Sequence, residues 1–164
     1  MHSVVTRRIS IFVASAFSLL LTTALAAEEG PTPAQQAAAA TENRQAVFKL
    51  LGVNMGPIVG MARGAPFDAA VAERNATRMA ALAPMIPELF AAMDTREFDV
   101  ETEALPVIWD NPDDFAAKAA ALEEAATAFA ATAAGGDQAA TLGGLRDLGG
   151  TCGNCHDSYR VDDE

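Results

Sequence analysis

The sequence predicts an all-α fold, an up-down-up-down antiparallel four-helix bundle. Three observations carry that expectation. Beyond its first 26 residues the chain is rich in Ala, Leu, Met and Glu and has no runs of Val, Ile and Thr, which is a helical composition. No segment sustains an apolar–polar alternation of period two, so no sheet is expected. Four stretches instead carry apolar residues at helical spacing, and the links between them run short, long, short.

The first helix, A, is expected from about Pro33 to about Arg63. Thr32 can cap it, with Pro33 pre-set at the first helical position. Val47, Leu50, Leu51, Met55, Ile58, Val59 and Met61 form its apolar stripe. Pro57 lies inside the pattern and lacks an amide donor, so a kink or a local division is expected there. Gly64-Ala65-Pro66 ends the element. Helix B is expected from Asp68 to about Met93, with Val71, Met79, Leu82, Met85, Leu89 and Phe90 on one face. Pro84 and Pro87 should bend its second half. From Asp94 to Asn111 the helical period is lost and acidic residues crowd in, which reads as a long crossover loop anchored to the core by Trp109. Asn111-Pro112 starts helix C, and Phe115, Ala119, Leu122, Ala126 and Phe129 line its inner face. Gly135-Gly136 terminates it. Helix D is expected from Asp137 to about Tyr159, its stripe running Leu142, Leu145, Leu148, Cys152, Cys155.

The first 26 residues read differently. Arg7 and Arg8 precede an apolar run from Ile9 to Leu25, and Ala24-Leu25-Ala26 is an A-x-A cleavage site. This is the pattern of a secretory signal peptide, removed to leave residues 27–164 as one domain in the periplasm. An uncleaved anchor is the competing reading, although the run is short for a span. Cleavage would take two of the 11 basic residues and none of the 22 acidic ones, moving the net charge from −11 to −13. Such a charge argues against nucleic acid as a partner, because phosphate binding needs a basic face. No other stretch is long and apolar enough to span a membrane, so none is expected to after cleavage.

The chemistry concentrates in Cys152-Gly153-Asn154-Cys155-His156. C-x-x-C-H is the pattern of covalent c-type haem attachment. Two thiols can add to the two vinyl groups of one haem, and the adjacent imidazole can reach the iron. On a helix Cys152 and Cys155 are i,i+3, and Cys152 and His156 are i,i+4, so all three share a face. A dithiol redox pair uses the same C-x-x-C but prefers a βαβ setting that is not visible here. A zinc site wants about four ligands, and the chain has two cysteines and, besides His156, only His2. One haem c, bound through Cys152 and Cys155, is the expected cofactor. With only eight Phe, one Trp and one Tyr in the chain, the haem would also supply much of the aromatic core.

Several stretches together resemble the class II c-type cytochromes, the cytochrome c′ family in particular. They are Arg44-Gln45 followed by Asn54-Met55-Gly56, Arg63-Gly64-Ala65-Pro66-Phe67-Asp68-Ala69-Ala70, Pro106-Val107-Ile108-Trp109, and Cys152 through Arg160. The resemblance covers essentially the whole chain after the signal and implies roles for individual residues. Cys152 and Cys155 would carry the thioethers, and His156 would be the proximal iron ligand. Arg160 would lie near it on the proximal side. Arg44 and Gln45 would sit at the haem edge, where a guanidinium can hold a propionate. Glu103 matches a loop position that touches the haem. The position four residues after Arg44 carries an apolar cover in high-spin members and a ligating Met in low-spin ones; here it is Phe48, which has no donor atom. The resemblance therefore implies a five-coordinate, high-spin haem c that carries electrons and binds nitric oxide or carbon monoxide, in a homodimer joined through helices A and B, with a redox partner the sequence does not identify. A low-spin electron carrier with Met55 or Met61 as second ligand stays open, and so does a peroxidase-like enzyme. The latter needs a distal acid–base group, and with no second histidine after the signal the expectation is a protein that is not an enzyme.

Overall fold

The computed structural model describes residues 30–161. The proposed signal peptide and its cleavage site lie outside the described residues. Among the described residues there are six α-helices: α1 (Pro33–Ala62), α2 (Ala69–Leu82), α3 (Met85–Ala91), α4 (Pro112–Ala134), α5 (Gln138–Gly143) and α6 (Leu145–Tyr159). They correspond to four helical arms: α1, then α2 with α3, then α4, then α5 with α6. No strand occurs among the described residues. An isolated antiparallel bridge joins Ala104 and Arg160.

The helix starts follow their local chemistry. Thr32 and Gln35 form a capping box at α1, each side chain bonded to the other's backbone amide. Asp68 caps α2 through Val71 N, and Asp137 caps α5 through Ala140 N. Pro33 and Pro112 occupy first-turn positions, where a missing amide costs nothing.

Prolines and glycines act less uniformly than their positions suggest. Pro57 does not divide α1, which stays helical through Gly56-Pro57. The carbonyl it leaves unpaired belongs to Val53, a residue 62% exposed, so water can satisfy it. The second arm, by contrast, does not merely bend. It breaks at Ala83-Pro84 into α2 and α3, and Pro87 then falls in the first turn of α3, where it is tolerated. The last arm breaks at Gly144, where a Cβ would come within 3.4 Å of the Phe129 ring and 3.5 Å of the Thr141 carbonyl. Gly64 and Gly136 close α1 and α4 at φ 104° and 74°, conformations that favour glycine.

The core is a continuous cluster from all four arms, among them Ile58, Met79, Phe90, Phe115, Ala126, Phe129 and Leu148. On α1 the buried face differs from the expected stripe. Arg44, Val47, Asn54, Ile58 and Met61 are buried, while Leu50 is 48% exposed. Two polar side chains can be inside because each is satisfied: Asn54 Nδ2 donates to the Leu50 carbonyl, and Asn75 Nδ2 from α2 donates to the Asn54 carbonyl at 3.1 Å. Helix α2 packs against α1 and α4, and α4 against α6, closing three seams of the bundle. Between α1 and α6 there is no comparable packing. A cavity of ≈ 1070 Å³ lies there, lined from both helices.

Candidate haem site

Helix α6 presents the attachment motif. Cys152, Cys155 and His156 all line the cavity, one helical turn apart, and the two thiols are half-buried and not joined to each other. Burial pushes both thiols up from their ordinary range; at Cys155 the Lys118 ammonium opposes that rise. That direction is opposite to the lowered pKa typical of a redox-active dithiol. Among the described residues no three His, Cys, Asp or Glu side chains gather as a metal-ion site.

The opposite wall comes from α1: Glu42, Arg44, Gln45, Phe48, Leu51 and Met55 all face the cavity. Phe48 is 40% exposed and meets the buried Phe90 ring edge-on, centroids 6.4 Å apart. Gln45 Nε2 donates to the Glu101 carbonyl at 3.0 Å and so ties α1 to the crossover loop at the cavity's rim. Arg44 lines the same cavity, but its guanidinium is committed elsewhere than to an edge open to a propionate. Nε donates to the Leu89 carbonyl (3.1 Å), Nη1 to Thr95 Oγ1 (2.9 Å), and Nη2 to the Met93 carbonyl. The guanidinium also lies 4.6 Å over the Phe90 ring and 5.3 Å over Trp109. Burial lowers its pKa. What Arg44 holds in this structure is the end of α3.

The crossover loop makes the third side. Six consecutive residues, Asp99 to Ala104, line the cavity. A backbone clasp fastens them to the end of α6: Leu105 N donates to the Tyr159 carbonyl (2.9 Å) and Val161 N to the Glu103 carbonyl (2.8 Å). Glu103 and Arg160, predicted from separate parts of the sequence, meet here, with Oε2 and Nε 3.9 Å apart. Trp109 anchors the loop as expected, its indole N–H donating to the Phe90 carbonyl at 3.2 Å.

The donor set and the space fit a haem. Two thiols and an imidazole stand on one helix face, at one wall of a cavity of ≈ 1070 Å³. That volume reaches the upper end of ordinary cofactor sites. Among the cavity residues that the sequence reading did not place in the site are Phe90, Phe115, Lys118 and Tyr159. Phe90 and Phe115 were legible as core, and Tyr159 falls four residues after Cys155, on the motif's own face.

The cytochrome C′ family model matches residues 8–160. The chain belongs to the cytochrome c′ family. Cytochrome c-554 of Cereibacter sphaeroides is 42% identical over 153 residues, covering 92% of this chain and 96% of that protein. Among solved structures, cytochrome c prime from Shewanella frigidimarina is 37% identical with a TM-score of 0.68, covering 77% of this chain and 97% of that one. A nitric oxide complex of a point mutant of cytochrome c prime from Alcaligenes xylosoxidans is 27% identical with a TM-score of 0.66, covering 77% and 97%. As a member of the cytochrome c′ family the chain binds haem c covalently, through Cys152 and Cys155, and is an electron-transfer cytochrome. The family's four-helix bundle is the fold found here.

Proposed function

We propose that the chain is a periplasmic class II cytochrome whose haem c is five-coordinate and high-spin, and that it binds nitric oxide and carbon monoxide as well as carrying electrons. When bound, the haem supplies a one-electron iron couple and an open coordination position. The chain's residues do the rest. His156 provides the protein ligand from α6, and Gln45, Glu103 and Arg160 frame the rim. The observation that carries the reading is Phe48, which lines the cavity from α1 and has no donor atom. His156 has the only imidazole among the described residues, so no second histidine is present there to serve as a distal acid–base group, which favours the electron-carrying and gas-binding reading over a peroxidase-like one. The nitric oxide complex known for the Alcaligenes relative supports the gas ligand. Export fits the N-terminal pattern, and among the described residues no helix is long and apolar enough to cross a membrane. Homodimerisation through α1 and α2 fits the outward-facing Leu50 and Val53, 48% and 62% exposed.

A second reading has one observation behind it: Met55 lines the same cavity and could ligate the iron. Met61 is the weaker rival, being buried with its sulfur 3.5 Å from the Asp68 amide. A visible spectrum of the ferrous protein, with and without nitric oxide, separates the readings. The expected result is a broad high-spin spectrum that changes on adding the gas. Sharp low-spin α and β bands that vanish in Met55→Leu would overturn the proposal in favour of the methionine.

A further inference from the structure

We infer that Phe90 is the positioning residue of ligand entry: a buried, immobilised ring that holds Phe48 in the cavity and leaves it only one direction in which to swing. This rests on the reading of Phe48 as the cover of the haem's open face.

The two rings differ sharply in freedom. Phe90 is 4% exposed and Phe48 40%. Around Phe90 stand Phe115 (centroids 4.9 Å apart), Trp109 (5.6 Å) and, over its face, the Arg44 guanidinium at 4.6 Å. Arg44 cannot yield easily, because three acceptors from α3 and the segment after it hold its donors. The Phe90 carbonyl is itself held by the Trp109 indole N–H. In a close-packed interior such a ring has nowhere to go. Phe48 meets it edge-on at 6.4 Å, lines the cavity and keeps 40% of its surface uncovered. A ligand entering under Phe48 must therefore push it outward; retreat into the wall is blocked. The resistance of the gate then depends on a residue on another helix, and through it on Arg44.

Replacing Phe90 by Leu shortens the backstop and opens room behind Phe48, so the gate gains a second way to move. Stopped-flow association of carbon monoxide with the ferrous holoprotein reads this. Phe90→Leu should speed association on the order of tenfold, the effect of lowering a barrier by about 1.4 kcal/mol. In a Phe48→Ala background the same change should add nothing. A second readout does not depend on reactivity: in fluorophenylalanine-labelled protein, the 19F resonance absent from Phe48→Ala should shift or broaden in Phe90→Leu. Phe129→Leu, a buried substitution away from the cavity, controls for general loosening and should leave the rate alone. If Phe90→Leu yields no holoprotein, Phe90→Met replaces the rigid ring by a smaller, flexible side chain with less loss of packing, and the same acceleration and the same loss of effect in the Phe48→Ala background are expected of it. An unchanged rate in Phe90→Leu beside a faster Phe48→Ala overturns the inference while leaving the Phe48 reading intact. Equal acceleration by Phe90→Leu in both backgrounds, or by Phe129→Leu, also overturns it. A Phe48→Ala rate equal to that of the unmodified protein would remove the reading beneath it.

Discussion

Tyr159 is the residue at which three elements meet. Its hydroxyl donates to Asp114 Oδ2 on α4 at 2.6 Å, its ring meets Phe115 edge-on at 5.1 Å, and its carbonyl receives the Leu105 amide of the crossover loop. The bond to Asp114 pushes the hydroxyl pKa from 10.0 up to about 12. The folded chain thus holds that proton more tightly than the unfolded chain does. The stabilisation is whole below pH 10.0 and is lost as pH rises through about 12. Tyr159→Phe should cost roughly 1–2 kcal/mol at neutral pH and flatten the alkaline limb of a urea-midpoint-against-pH profile. An unchanged alkaline limb would refute the assignment. The thiols and imidazole were readable in the sequence because their chemistry is carried by spacing along one helix. Arg44 was readable as a site residue but not in its bonding. Two of its three acceptors are backbone carbonyls, of Leu89 and Met93, in and just after the helix that begins beyond the break at Pro84.

At the scale of elements, the polar cross-link between α1 and α2 is the feature the apolar stripe concealed. Asn75 is 4% exposed, and its amide reaches the Asn54 carbonyl in the turn before Pro57. Asn75→Ala would leave that contact empty in a buried place. We expect a loss of about 1–3 kcal/mol, read as a lower urea midpoint with an unaltered visible spectrum; a spectrum that shifts would mean the link reaches the haem. Periodicity located all four helical arms, because it reports which side of a helix is apolar. It could not tell a bend from a break. Pro57 is absorbed beside exposed Val53, Pro84 separates two helices, and Gly144, packed against the Phe129 ring, separates two more. Each outcome turns on exposure and backbone conformation at the proline or glycine itself, which the apolar pattern does not carry.

At the scale of the molecule, link lengths disclosed the up-down-up-down order, but not that one of the four seams is left open. An apolar stripe looks the same whether it meets another helix or a prosthetic group. The outer surface yields the remaining prediction. If α1 and α2 form the homodimer face, Val53→Glu should place like charges across it and shift sedimentation from dimer to monomer, with the carbon monoxide complex still forming. A sedimentation coefficient unchanged by the substitution would move the interface elsewhere or leave a monomer. The open seam also bears on the order of assembly. The α1–α2 and α2–α4 contacts lie wholly within residues 33–134, so three arms can pair before the attachment motif has emerged. The last helix to appear carries both thiols. The α1–α6 seam is thus the one that a covalent step would fill, and a chain halted before that step would keep its three packed seams with the space between α1 and α6 still open.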